Sequence, residues 1–241
     1  MCRLSRLVML PELRGELKME FNISVNELKG FEIIAKSADA PRYYLRGIFV
    51  EYLPETQKLA LVATDGHRML FKVFDPSHSN IVPDDFANFE NFIIPVETIK
   101  QAIAGMRGTD SVTISVDVNS DNVIEHHMQN VHFRPIDGKY PDWKRVIPCG
   151  IDNEIGQYDP KYIGEFGRIA KLIGKKSGKI HVRHNGQQAA HIDFGIPDYY
   201  GVLMPVRTKP LDQSVYLQTI SDNLNMRWSV DSPLKVVSIN A

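Results

Sequence analysis

The apolar positions of this chain change rhythm in a repeating order. Residues 21–25 alternate as a strand does, and Leu28, Phe31, Ala35 and Ala38 then follow the spacing of one helix face. Ser24 followed by Glu27 fits a capping box, in which the two side chains satisfy open amides of the first turn. Pro41 ends that helix. Strands are predicted over 46–53, 58–63 and 67–74, with Pro54-Glu55-Thr56-Gln57 turning between the first two. Asp65-Gly66 stands between the last two runs. Asp-Gly flanked by apolar runs is a strong hairpin signal, because a tight primed turn needs positive φ at its central residues. Thr64, His67 and Arg68 are thereby predicted at a hairpin tip, outside any core.

The pattern then restarts. A polar connector covers 75–91. A strand follows over 91–96 and a helix over 97–106, with Ile99, Ala102, Ile103 and Met106 on one side and Arg107-Gly108 closing it. Strands are predicted over 111–116, 122–128 and 130–135. A third copy opens at Asp159-Pro160, a cap and first-turn pair. Its helix carries the stripe Ile163, Phe166, Ala170 and Ile173 and ends at Gly174, and its strands fall over 179–184, 189–194 and 200–208. The helix starts lie about 70 and 63 residues apart, so a strand–helix–three-strand unit is used repeatedly. The class is α+β.

Composition bounds what such a chain can do. Its 241 residues hold one large domain or two small ones. With a net charge of −1 it is not a nucleic-acid binder through overall charge, so any such contact needs cations segregated on one face. Two cysteines, Cys2 and Cys149, are too few for a disulfide scaffold or a four-cysteine zinc site and fit a reducing cytoplasm. No apolar run approaches the roughly 18 residues of a membrane helix. Residues 1–18 read as an N-terminal extension that is not native. Met19 opens the first strand, and Gly15-Glu16 fits a purine-rich ribosome-binding stretch.

Several stretches together resemble one family. Val62-Ala63-Thr64-Asp65-Gly66-His67-Arg68 resembles the signature of the bacterial sliding clamp, the beta subunit of DNA polymerase III. Arg42-Tyr43-Tyr44-Leu45-Arg46-Gly47 resembles the run before that hairpin in the clamp's middle domain. The stretch from Ile136-Asp137-Gly138-Lys139-Tyr140-Pro141 to Pro148 resembles the run closing that domain, and Leu203-Met204-Pro205-Val206-Arg207 the clamp's final strand. The resemblance implies a DNA-clamp fold, with helices on the inner face and antiparallel sheets outside. Residues 19–148 would form a clamp domain of two half units. Residues 149–241 would form a second, incomplete one with an extra tail, whose strands are predicted over 215–220, 225–230 and 234–239.

What the resemblance implies for function follows residue by residue. Clients dock a short linear motif in an apolar cleft, and the matching positions are Leu45, Thr64, Gly66, His67, Arg68, Met69, Pro148, Val202, Met204, Pro205 and Val206. Their side chains suit such docking. Leu, Val, Pro and adaptable Met make a floor, and Thr64 and Arg68 supply polar contacts at the rim. Met69 replaces the family's usual leucine at similar volume. The helices offer Lys29 and Lys36, Lys100 and Arg107, and Lys161, Arg168, Lys171, Lys175 and Lys176 to duplex DNA. Phosphate contacts of that kind hold DNA without fixing a register. Glu165 is the main acid on the third helix.

The implied function is a non-enzymatic processivity factor that encircles duplex DNA and tethers a DNA polymerase or another client, with a clamp loader as a further partner. Clamp rings close with twelve half units. A homo-trimer is favoured, with a tetramer or dimer as the other closures. The rival reading is an adaptor or decoy that never closes a ring, as a phage or mobile element would use. No cofactor or metal is expected. His126-His127 and His181-Val182-Arg183-His184 are adjacent or oddly spaced on strands and lack an acidic partner at ligand spacing.

Overall fold

The structure, a computed structural model, describes residues 18–75, 90–117, 122–126 and 129–207. The predicted N-terminal extension apart from Lys18, most of the 75–91 connector and the three tail strands lie outside the described residues. Met1–Pro205 forms one compact unit and Val206–Ala241 a second; the first carries the architecture below.

The first repeat is β1 (Lys18–Ser24), α1 (Val25–Ala35), β2 (Gly47–Leu53), β3 (Lys58–Thr64) and β4 (Arg68–Phe74). The second is β5 (Phe92–Pro95), α2 (Val96–Ala102), β6 (Ser111–Asp117), β7 (Asn122–His126) and β8 (Gln129–Phe133). The third supplies α3 (Pro160–Leu172), β9 (His181–Arg183), β10 (Ala190–Asp193) and β11 (Tyr199–Leu203). The capping box forms as the spacing requires: Ser24 Oγ accepts from Glu27 N–H, and Glu27 accepts from Ser24 N–H. Asp159 caps α3 by accepting from Lys161 N–H, with Pro160 in the first turn.

The first two repeats exchange their opening strands. β1 pairs with β6 and β5 with β2, both antiparallel. The result is a four-stranded sheet in the order β1-β6-β7-β8 and a seven-stranded sheet in the order β5-β2-β3-β4-β11-β10-β9. The third repeat thus joins the first through β11 on β4, with Val202 opposite Met69 and Leu203 opposite Arg68. β3 is buried on both faces. Leu59, Leu61 and Ala63 face the core shared with the helices, while Ala60 and Val62 face a second core under residues 134–148. That is why its apolar run is unbroken where a half-exposed strand alternates.

Several boundaries differ from the sequence expectation. The first helix stops at Ala35, so Ala38 is buried outside it, and a 3-10 segment over Ala40–Leu45 follows. The second helix covers Val96–Ala102, shorter than 97–106. β11 ends at Leu203, although Met204 N–H still donates to His67 C=O at 2.9 Å.

Candidate functional site

The turn between β3 and β4 is a three-residue loop, Asp65-Gly66-His67, and not the two-residue primed turn expected. Only Gly66 has positive φ, at +91°. Asp65 organises the loop by side-chain bonds. Its Oδ1 accepts from His67 N–H at 2.9 Å and Arg68 N–H at 3.1 Å. Thr64 Oγ1 donates to Arg68 C=O at 2.8 Å and accepts from Gly66 N–H at 3.1 Å. Its hydroxyl is spent on the loop itself.

Arg68 corrects the sequence reading most sharply. The pattern predicts it at the rim, outside a core, and it is 1% exposed. Nε donates to Asp65 Oδ2 at 3.1 Å, Nη1 to Glu165 Oε2 on α3, and Nη2 to Ser37 Oγ at 3.2 Å. The guanidinium also lies 4.4 Å from the centre of the Tyr162 ring. A buried cation is tolerable where carboxylates and hydrogen bonds replace its water. Burial pushes the Tyr162 hydroxyl pKa up, and the nearby Asp65 charge adds to the rise.

Beside this loop lies a cavity of about 250 Å³, lined by Leu45, Thr64, Gly66, Arg68, Met69, Val202 and Met204 together with Arg42, Tyr44, Pro141, Asp142, Trp143 and Val146. The first seven were expected; the structure draws them from the 3-10 segment, the hairpin, β11 and the residue that follows it. The other six were missed. They sit within two of the same resembling runs, 42–47 and 136–148, and the signal was their membership of those runs. Trp143 is fixed by donating Nε1–H to Glu51 Oε2 at 2.7 Å and by packing on Phe71 at 5.1 Å between ring centres. Of the remaining expected residues, Pro148 lines a neighbouring cleft of about 700 Å³ that shares Val146 and Met204 with the first. His67 points elsewhere, its ring stacked 6.1 Å from that of Tyr162. Pro205 is half-buried and Val206 exposed, and neither lines the two cavities. Val202 is fully packed at 1% exposure, whereas Met204 is exposed, at 39%.

Residues 25–142 match the family described as DNA polymerase III beta subunit, central domain. Over 155 residues the chain is 32% identical to the beta sliding clamp of Caulobacter vibrioides, covering 61% of this chain and 38% of that one. Over 142 residues it is 31% identical to the beta sliding clamp of Escherichia coli K12, covering 56% and 34%. The DnaN sliding clamp of Bartonella birtlesii, solved bound to griselimycin, superposes with a TM-score of 0.59 at 20% identity, over 82% of this chain and 68% of that one. The C. crescentus beta sliding clamp does so with 0.57 at 19%, over 83% and 68%. Over residues 25–142, just under half of its length, the chain belongs to the DNA polymerase III beta-subunit family. Its fold is the α+β clamp fold, and it spans less than two fifths of the length of those two curated relatives.

Within that clamp fold α1 lies against both α2 and α3. Gly30 makes the second contact close, since a Cβ there would already touch Ile169 at 3.5 Å. The expected DNA-facing cations divide by helix. On the first two, Lys36 pairs with Glu32 at 3.7 Å and Lys100 with Glu97 at 3.0 Å. Lys29 is half-buried and Arg107 exposed beyond α2. On α3, Lys161, Arg168 and Lys171 are exposed at the spacing of one face, with Lys175 and Lys176 just past its end. Among the described residues none of these five has a carboxylate partner. Glu165 is turned inward to Arg68. Among the described residues no group of three His, Cys, Asp or Glu is placed to hold a metal ion, and no helix is long and apolar enough to cross a membrane.

Proposed function

We propose that this protein is a DNA sliding clamp: it encircles duplex DNA and tethers a DNA polymerase or other client whose short linear motif enters the cleft beside Met69 and Met204. The observation that carries this reading is the convergence of Leu45, Thr64, Met69, Val202 and Met204 on one cavity, from segments more than a hundred residues apart. The cavity suits apolar anchor side chains, and such anchors dominate the affinity of short peptides. The unneutralised cations of α3 support the duplex contact, which needs no sequence readout. Nothing in this role requires catalysis or a cofactor.

Holding DNA by topology requires a ring. Three half units are described here, and twelve close a clamp ring, so several copies must join, with a loader to open them. A trimer follows if residues 208–241 complete the second clamp domain, 149–241, and a tetramer if they do not.

Two measurements test the reading together: retention on circular against linearised plasmid, and mass by light scattering. Retention on circles that is lost on linearisation, at a multiple of the 27.4 kDa chain, is the expected result. A single-chain mass with intact binding of a clamp-binding-motif peptide selects the adaptor instead. No peptide binding at all removes the cleft assignment.

A further inference from the structure

Glu165 and Tyr162 stand on α3, outside the lining of the client cleft, yet both hold the guanidinium of a residue that lines it. Arg68 leaves β4 at the hairpin loop and spans to the third repeat. Its four partners come from the loop (Asp65), the end of α1 (Ser37) and α3 (Glu165, Tyr162). Asp65 also binds the loop amides through Oδ1, and on the α3 side the guanidinium is held by Glu165 and Tyr162. The pairing also decides where the charge of Glu165 goes. Lys161 lies four residues before it and Arg168 three after, both within reach on the same helix. The carboxylate instead reaches Arg68, and both cations remain exposed without it.

We infer that Glu165 is a positioning residue for the peptide cleft, acting through Arg68, so that client affinity depends on a helix the client never touches. This rests on the peptide-binding reading above. With the Glu165 carboxylate in place the guanidinium is held over the Tyr162 ring and the wall beside Met69 and Thr64 is fixed before the peptide arrives. Without it, Arg68 keeps Asp65, Ser37 and the Tyr162 ring but loses its carboxylate on α3, and the wall must be ordered at the moment of binding, which weakens the complex. A lysine at position 68 cannot reproduce the arrangement, because a point-like ammonium does not bind two carboxylates and stack on a ring at once.

The test is a double-mutant cycle on the full chain, reading the Kd of a fluorescent clamp-binding-motif peptide by anisotropy, with circular dichroism and melting recorded for each variant. Glu165→Gln and Arg68→Lys are each expected to weaken binding about tenfold, and the double variant no more than the weaker-binding single. Glu32→Gln, on α1 and paired with Lys36, is the control and should bind as the parent does. Multiplicative losses in the double variant, or an unchanged Kd in folded Glu165→Gln, would overturn the inference while leaving the cleft itself standing. A parent protein that binds no peptide would instead defeat the underlying reading.

Discussion

Arg68 keeps a full charge where water has no access, and only its partners make that stable. Removing the guanidinium leaves Asp65 buried at 2% exposure without its ion pair. Arg68→Met is therefore expected to cost about 3–5 kcal/mol, the range for breaking a buried pair from one side. Urea denaturation measures it, and a loss below about 1 kcal/mol would mean the pair contributes little. A second polar cluster sits at the start of α1. Burial alone would raise the pKa of the Glu27 carboxyl, but Lys72 Nζ at 2.6 Å and the Tyr199 hydroxyl hold it below its ordinary 4.5. Tyr199 is pushed well above its ordinary 10 by burial and by the Glu27 charge. A folded-state carboxyl with a depressed pKa adds stability above the ordinary carboxylate range and loses it as pH falls through the folded value. Glu27→Gln should accordingly lower stability by about 2 kcal/mol at pH 7. The gap should narrow as pH drops below 4.5. Urea midpoints at pH 7 and pH 3 that differ equally between the two proteins would contradict this.

At the scale of elements, what was legible was what is local. The capping box at Ser24, the Asp159-Pro160 start of α3 and the strands around Asp65-Gly66 are encoded within a few residues, and all three form. The burial of Arg68 was not legible, because Glu165 is 97 positions away and no spacing rule joins them. The same holds for Trp143, which reaches the cleft only because Glu51 on β2 and Phe71 on β4 fix it from two strands. The tip residues also divide in a way the sequence could not state. Met69 faces the cleft and His67 stacks on Tyr162, although they are two apart, because the three-residue loop rotates His67 out of the strand's alternation. Truncating Met204 removes an exposed side chain that lines both cavities. Met204→Ala is thus expected to weaken client-peptide binding by more than about 1 kcal/mol, at least about fivefold in Kd. His67→Ala should change Kd by less than about threefold. Peptide titrations of the two variants decide it, and the reverse order would move the binding site toward α3.

At the scale of the whole molecule, the duplex contact proposed for a chain of net charge −1 depends on local asymmetry. α1 and α2 spend part of their charge on Glu32 and Glu97, whereas α3 sends its main acid to Arg68 and shows Lys161, Arg168 and Lys171 to solvent. If the duplex lies along the helices, most of the counterion release on binding should therefore come from the third repeat. Each cation that neutralises a phosphate adds close to one unit to the slope of log K against log salt. The triple change of Lys161, Arg168 and Lys171 to Gln should reduce that slope by about three. The same triple change on α1 and α2, at Lys29, Lys36 and Lys100, should reduce it by less, since Glu32 and Glu97 already compensate two of those charges. Duplex binding titrated between low and moderate salt gives both slopes on otherwise identical proteins. Equal slopes would mean that the duplex runs across all three helices alike, and an unchanged slope in the α3 variant would place the nucleic acid on another surface altogether.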